Sequence, residues 1–179
     1  MIGRYEIRLS GSGGQGIILG SVILAEALGI LDGYNVTQTQ SYGPESRGGA
    51  SKAEVVVSDD EIDHPKVQCP NVMLALTQES FDKYAAQVHK DGFIIIDSEE
   101  ISGEAKVPVY KVPISKIAKE EVGKLLVTNI VALGVLAALC PLINKESLEK
   151  AVLRRVPKGT ETMNQMAFQL GYQAAEKAK

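Results

Sequence analysis

The feature that most constrains this chain is Gly11-Ser12-Gly13-Gly14-Gln15-Gly16, placed directly between a short β-type segment and an apolar helical one. Tyr5 to Leu9 (YEIRL) reads as a strand. Ile17, Ile18, Val22, Ile23, Ala25, Ala27 and Leu28 mark one broad apolar face of a helix that stops at Gly29 or Gly33. A strand, a glycine-rich turn and a helix in that order form the context of the phosphate-binding G-x-G-x-x-G loop. Residues without a Cβ permit positive φ and let backbone N–H groups approach an anion. The helix N-terminus adds partial positive charge. The bland alternative is a tight strand–helix turn that binds nothing.

The rest of the chain repeats the alternation. Strands are expected at Asn35–Ser41 (NVTQTQS), Ala53–Ser58, Asn71–Leu76 and Phe93–Asp97, and at Val107–Val112, an edge strand bracketed by Pro108 and Pro113. Helices are expected at Gln78–His89, at Asn129–Leu139 with Thr128 as N-cap, at Lys145–Arg155 and at Glu161–Lys177. The pattern defines an α/β fold, a doubly wound, mostly parallel sheet with helices on both faces and a C-terminal helical tail. The apolar run Leu125–Ile143 carries no charge, but its uninterrupted part, Ile130–Cys140, spans only about 16 Å, roughly half a bilayer core. It reads as a buried helix. No secretory leader precedes the first strand, so the expected location is the cytoplasm.

Charge and composition exclude several functions. There are 19 Lys and Arg against 22 Asp and Glu, a net charge of −3, and no Trp. A nucleic-acid partner would need a basic surplus and stacking aromatics. Two cysteines, Cys69 and Cys140, cannot hold a four-cysteine iron–sulfur cluster or a structural zinc ion. A nicotinamide reading needs Asp or Glu at the end of the second strand to hold the ribose. Thr37, Gln38, Thr39 and Gln40 stand there instead, and no Arg is available for a 2′-phosphate.

A second motif, Tyr42-Gly43-Pro44-Glu45-Ser46-Arg47-Gly48-Gly49, follows the second strand. In a doubly wound sheet the first two strands are parallel neighbours, which brings this loop to the carboxyl edge beside the first. Arg47 is there to clamp a phosphate or carboxylate; the competing reading is a surface turn with an internal Glu45–Arg47 pair. Asp97, at the same edge, reads as a turn or cap carboxylate. His64, His89 and the acidic turn Asp59, Asp60, Glu61 and Asp63 read as solvated. No nucleophile elbow, Walker lysine, Cys–His pair or carboxylate pair is present, so no catalytic residue and no metal ligand is assigned.

The combination of GSGGQGIILGSVILAEAL, SYGPESRGGASKAEVVVSDDEIDHPKV, TNIVALGVLAAL and NQMAFQLGYQAA resembles the gamma subunit of 2-oxoacid:ferredoxin oxidoreductases, most closely the 2-oxoglutarate type, across essentially the whole chain. The resemblance implies a single gamma-type domain over residues 1–179. It implies a multi-subunit enzyme that decarboxylates a 2-oxoacid, transfers the acyl group to coenzyme A and reduces ferredoxin. Thiamine diphosphate and the iron–sulfur clusters then belong to alpha and beta partner subunits and a ferredoxin-like delta subunit. Separately, the glycine-rich loops and the apolar run Ile130–Leu139 suggest surfaces completed by partners, and a homodimer or higher self-association is expected of the chain alone. This subunit covers the active site and helps hold coenzyme A, whose diphosphate suits a loop of Gly11, Ser12, Gly13, Gly14, Gln15 and Gly16 with Arg47 beside it. The competing readings are a stand-alone dinucleotide-binding oxidoreductase and a purely architectural subunit.

Overall fold

The computed structural model describes residues 2–41 and 49–179. In chain order the elements are β1 (Arg4–Gly11), α1 (Ile17–Glu26, continued by a π-helical turn Ala27–Leu31), β2 (Asn35–Gln40) and β3 (Ser51–Ser58). Next come β4 (Val72–Ala75), α2 (Gln78–Tyr84), β5 (Phe93–Asp97), β6 (Val109–Val112) and α3 (Ile114–Lys116). Then α4 (Thr128–Leu139), α5 (Lys145–Arg155) and α6 (Glu161–Lys177) complete the chain. The sheet order is β2-β3-β1-β4-β5-β6. The pairs β1–β4, β4–β5 and β5–β6 are parallel, whereas β3 runs antiparallel to both β1 and β2.

The α/β architecture stands, with one correction to its topology. β1 and β2 are not neighbours, because β3 is inserted between them. Two antiparallel pairings in succession restore the direction of β1 in β2. The carboxyl ends of both strands therefore still lie at one edge, where Gly11 pairs with Ser51 and Gln40 with Ala53. The distance changes: β2 lies two strand spacings from β1, about 9–10 Å.

Strand alternation sorts the core. Ile7, Leu9, Val55, Val57, Val72, Leu74, Ile95 and Val112 face α1 and the C-terminal helices, while Met73, Ala75, Ile94 and Ile96 face Phe81 and Tyr84 of α2. β4 and β5 are covered on both faces, so Val72–Ala75 and Phe93–Ile96 are continuously apolar rather than alternating. The charge-free segment seen in the sequence becomes α4. It is apolar all round because it is buried all round, with α1, α5 and α6 packed about it. Among the described residues no helix is long and apolar enough to cross a membrane. α4 and α6 meet at glycines: a Cβ on Gly134 would strike the carbonyl oxygen of Phe168, and one on Gly171 that of Val131.

The helix ends refine the sequence reading. Thr77 caps α2 and Asn144 caps α5, each side chain accepting from the N–H three residues on. Thr128 does not cap α4. It is the first helical residue, and its hydroxyl donates to Leu125 O at 2.6 Å. The expected helix Gln78–His89 ends at Tyr84 and passes into a 3₁₀ turn, Ala85–Gln87. β6 begins at Val109 because Pro108, lacking an N–H, contributes only its carbonyl, to Ile94 N.

Candidate functional site

The glycine-rich loop leaves the sheet where β1 ends and enters α1 through Gly16, which has φ +72° and is the helix N-cap. The N–H groups of its first turn have no intrahelical acceptor, and no side chain among the described residues caps them. Positive φ is needed at Gly14 (+90°) and Gly16, but not at Gly11 or Gly13. The four glycines therefore do different work. A Cβ on Gly11 would collide with Gln15 Oε1, and one on Gly16 would sit 2.6 Å from Asn129 Nδ2. Gly14 has nothing within 4 Å of such a Cβ, so it faces open space.

Gln15 closes the loop on itself. Its Oε1 accepts from Ser12 N at 2.7 Å and its Nε2 lies 3.5 Å from Leu76 O, at the end of β4. The Ser12 N–H is thereby engaged inside the loop, and the Gln15 N–H turns back to Ser12 O at 3.4 Å, so both bonds tie the loop to itself.

Two clefts flank the loop. One, about 440 Å³, is lined by Ser12, Gly14, Gln15, Thr77, Ser115 and Thr128, together with Glu100 and the exposed Leu125 and Leu126. The other, about 320 Å³, runs toward the β2–β3 side and is lined by Gly13, Gly14, Gly16, Ile17, Ile18, Ser41 and Ser51. Ser41 Oγ is buried without a hydrogen-bond partner among the described residues. Arg47 and the rest of Tyr42–Gly48 lie outside the described residues, so the Glu45–Arg47 pair does as well. The strand ends that carry that segment, Gln40 and Ser51, stand at the loop's edge.

The remaining candidates are structural. Asp97 is 1% exposed; its Oδ2 accepts from Ser115 N at 2.8 Å at the start of α3 and its Oδ1 from Glu99 N. It caps a turn. His64 is exposed and offers its backbone carbonyl to Arg4, while His89 Nδ1 accepts from Asp91 N. Among the described residues no group of three or more His, Cys, Asp or Glu could hold a metal ion. Cys69 is exposed, and Cys140 is buried against Tyr5 OH. Burial pushes the Cys140 thiol up from its ordinary value, which keeps it neutral and unreactive.

Several residues escaped the sequence reading. Arg8 and Glu54 face each other across β1 and β3 with Arg8 Nε 2.7 Å from Glu54 Oε1, both buried under α2. Arg8 also donates to Gln87 Oε1 and lies over the Tyr84 ring, whose hydroxyl holds Ala50 O. Glu6, equally buried, accepts from Arg4 Nε and from the N–H groups of Gln68 and Cys69. The period-2 placement of Glu6 and Arg8 in YEIRL was the available signal, since charges on one face of a central strand require partners.

This topology separates the fold from a nicotinamide-binding one. The residues ending β2 are one strand too far from the glycine loop to hold a ribose whose diphosphate sits there. What remains is an α/β module with a glycine-loop edge. Residues 6–174 match the family described as Pyruvate ferredoxin/flavodoxin oxidoreductase. A 2-oxoglutarate synthase subunit, KorC, of Methanocaldococcus jannaschii is 50% identical over 97% of this chain and 95% of its own. The crystal structure of a keto/oxoacid ferredoxin oxidoreductase gamma subunit from Geobacter sulfurreducens superposes with TM-score 0.90 at 46% identity, covering 99% of each chain. A 2-oxoglutarate:ferredoxin oxidoreductase from Magnetococcus marinus shares the fold, with TM-score 0.88 and 22% identity; this chain covers 32% of that one. The chain belongs to the pyruvate ferredoxin/flavodoxin oxidoreductase family, and its full length corresponds to that family's gamma-subunit type.

Proposed function

We propose that the chain is the gamma subunit of a cytoplasmic enzyme that oxidatively decarboxylates a 2-oxoacid, 2-oxoglutarate by the names of its relatives, to the acyl-CoA with ferredoxin as electron acceptor. Its share of the work is to cover the active site and hold part of coenzyme A. The observation that carries this is the uncapped N-terminus of α1, opening through Gly14 and Gly16 onto two clefts at one sheet edge. The first-turn N–H groups of α1 and the helix dipole suit the diphosphate of coenzyme A. Ser41 Oγ, buried in the second cleft and without a partner among the described residues, adds a hydroxyl there. The Magnetococcus marinus enzyme was determined with 2-oxoglutarate, coenzyme A and succinyl-CoA bound, which supports the substrate class.

Thiamine diphosphate and the iron–sulfur clusters are assigned to alpha and beta subunits and a ferredoxin-like delta subunit. Two cysteines, one exposed beside Glu6 and one buried beside Tyr5, do not fit a four-cysteine cluster. A second reading, a mainly architectural subunit, draws on Leu125 and Leu126, which line the larger cleft and are 59% and 83% exposed. Apolar side chains so placed are covered by a partner more readily than by a diphosphate.

One substitution separates the two. In the assembled complex Arg47→Ala is expected to raise the KM for coenzyme A about ten- to a hundredfold, the worth of one charge-assisted hydrogen bond, while the 2-oxoacid curve stays put. An unchanged coenzyme A curve with a lower yield of complex assigns the loop to an interface instead.

A further inference from the structure

We infer that Asn129 is the positioning residue of the glycine loop. The inference rests on the reading of that loop as a ligand site, but its geometry stands apart from any particular ligand. α4 is apolar and buried along its length, so an amide in its first turn has few polar partners. Asn129, 8% exposed, finds one 113 residues away: its Nδ2 donates to Gly16 O at 3.2 Å. That same carbonyl accepts from Gly20 N at 2.9 Å, the first hydrogen bond of α1. Gly16 is the left-handed residue at which the chain turns into the helix. One amide thus fixes the Gly16–Ile17 peptide, whose N–H opens the first turn of α1. The φ of +72° at Gly16 favours glycine, and the Asn129 amide fills the space a Cβ there would take.

Asn129 lines neither cleft. It borders a void of about 10 Å³ behind the loop, among Leu9, Ile17, Leu74, Leu76 and Leu133. It acts on a ligand only through Gly16. Gln15 works from the other end of the loop by holding Ser12 N, so the loop is clasped at both ends by amides.

The test is Asn129→Leu, which keeps the branched skeleton of the side chain against an apolar wall and removes the amide with its donor. In the isolated chain, amide hydrogen exchange around Gly14–Leu19 is expected to quicken about three- to tenfold, the range for one hydrogen bond, with the rest of the chain unchanged. In the assembled complex the KM for coenzyme A is expected to rise by a similar factor, with kcat and the KM for the 2-oxoacid unchanged. Gly14→Val in the same complex is the reference for the ligand reading. If Gly14→Val raises the coenzyme A KM while Asn129→Leu moves neither KM nor exchange, the positioning inference is overturned. If Asn129→Leu loosens the loop but neither variant alters the coenzyme A curve, the clasp stands and the coenzyme A reading falls.

Discussion

Gly134→Val is expected to cost about 3 kcal/mol or more and to leave little folded protein. Most core substitutions that add volume cost about 1–3 kcal/mol, because side chains can shift. Here they cannot. The first atoms a Cβ at position 134 would meet are backbone atoms of α6, the carbonyl of Phe168 and the N–H of Tyr172, and Gly171 makes the reciprocal approach to Val131. Two helix axes would have to move apart, and α4 is also packed against α1 and α5. Against a typical total stability of about 5–15 kcal/mol, that is a large fraction. Gly20→Ala is the internal control. Its Cβ would meet Leu9 Cδ1 at 3.6 Å and Leu133 Cδ2 at 4.0 Å, ordinary packing distances, and it lies in a helix interior. It is expected to stabilise the chain by about 0.5–1 kcal/mol. Urea unfolding midpoints of the two variants decide the matter; equal, small shifts would show that the α4–α6 contact is softer than described.

Arg8→Met is expected to destabilise by about 3 kcal/mol, the lower end of the range for breaking a buried ion pair. Arg8 is 1% exposed and Glu54 6%, so the surviving carboxylate stays out of water. Lys52 Nζ, 2.9 Å from the same Glu54 oxygen and more exposed, compensates in part. The double variant Arg8→Met, Glu54→Met is expected to regain most of the loss, since apolar pairs replace buried ion pairs at little cost. A double variant as unstable as the single one would mean that the loss comes from the Gln87 and Tyr84 contacts of Arg8 rather than from the stranded charge.

Local features of the fold were legible in the sequence, and pairings were not. The continuous apolar run Phe93–Asp97 and the spans of α5 and α6 match the structure residue for residue. The antiparallel insertion of β3 was not legible, because strand order is a tertiary property and NVTQTQ, polar on both faces, carries no sidedness to show which neighbour it has. Thr128 was misassigned because its hydroxyl turned back to Leu125 O, the local bond that Thr makes in competition with capping. The glycine loop itself was plain, but the division of its glycines was not. Gly11 and Gly16 pack against the side-chain amides of Gln15 and Asn129, and Asn129 is far off in sequence within a run that reads only as core. The Arg8–Glu54 pair depends on register, which no spacing within either strand specifies.

The account stands most directly on a reconstitution. Complexes assembled with and without this chain, and the chain alone, would be titrated with coenzyme A while 2-oxoglutarate-dependent reduction of ferredoxin is followed. The account predicts no turnover from the chain alone and, in the full complex, turnover that requires the chain and saturates in coenzyme A. Full activity without the chain, or turnover by the isolated chain with a dinucleotide, would contradict it.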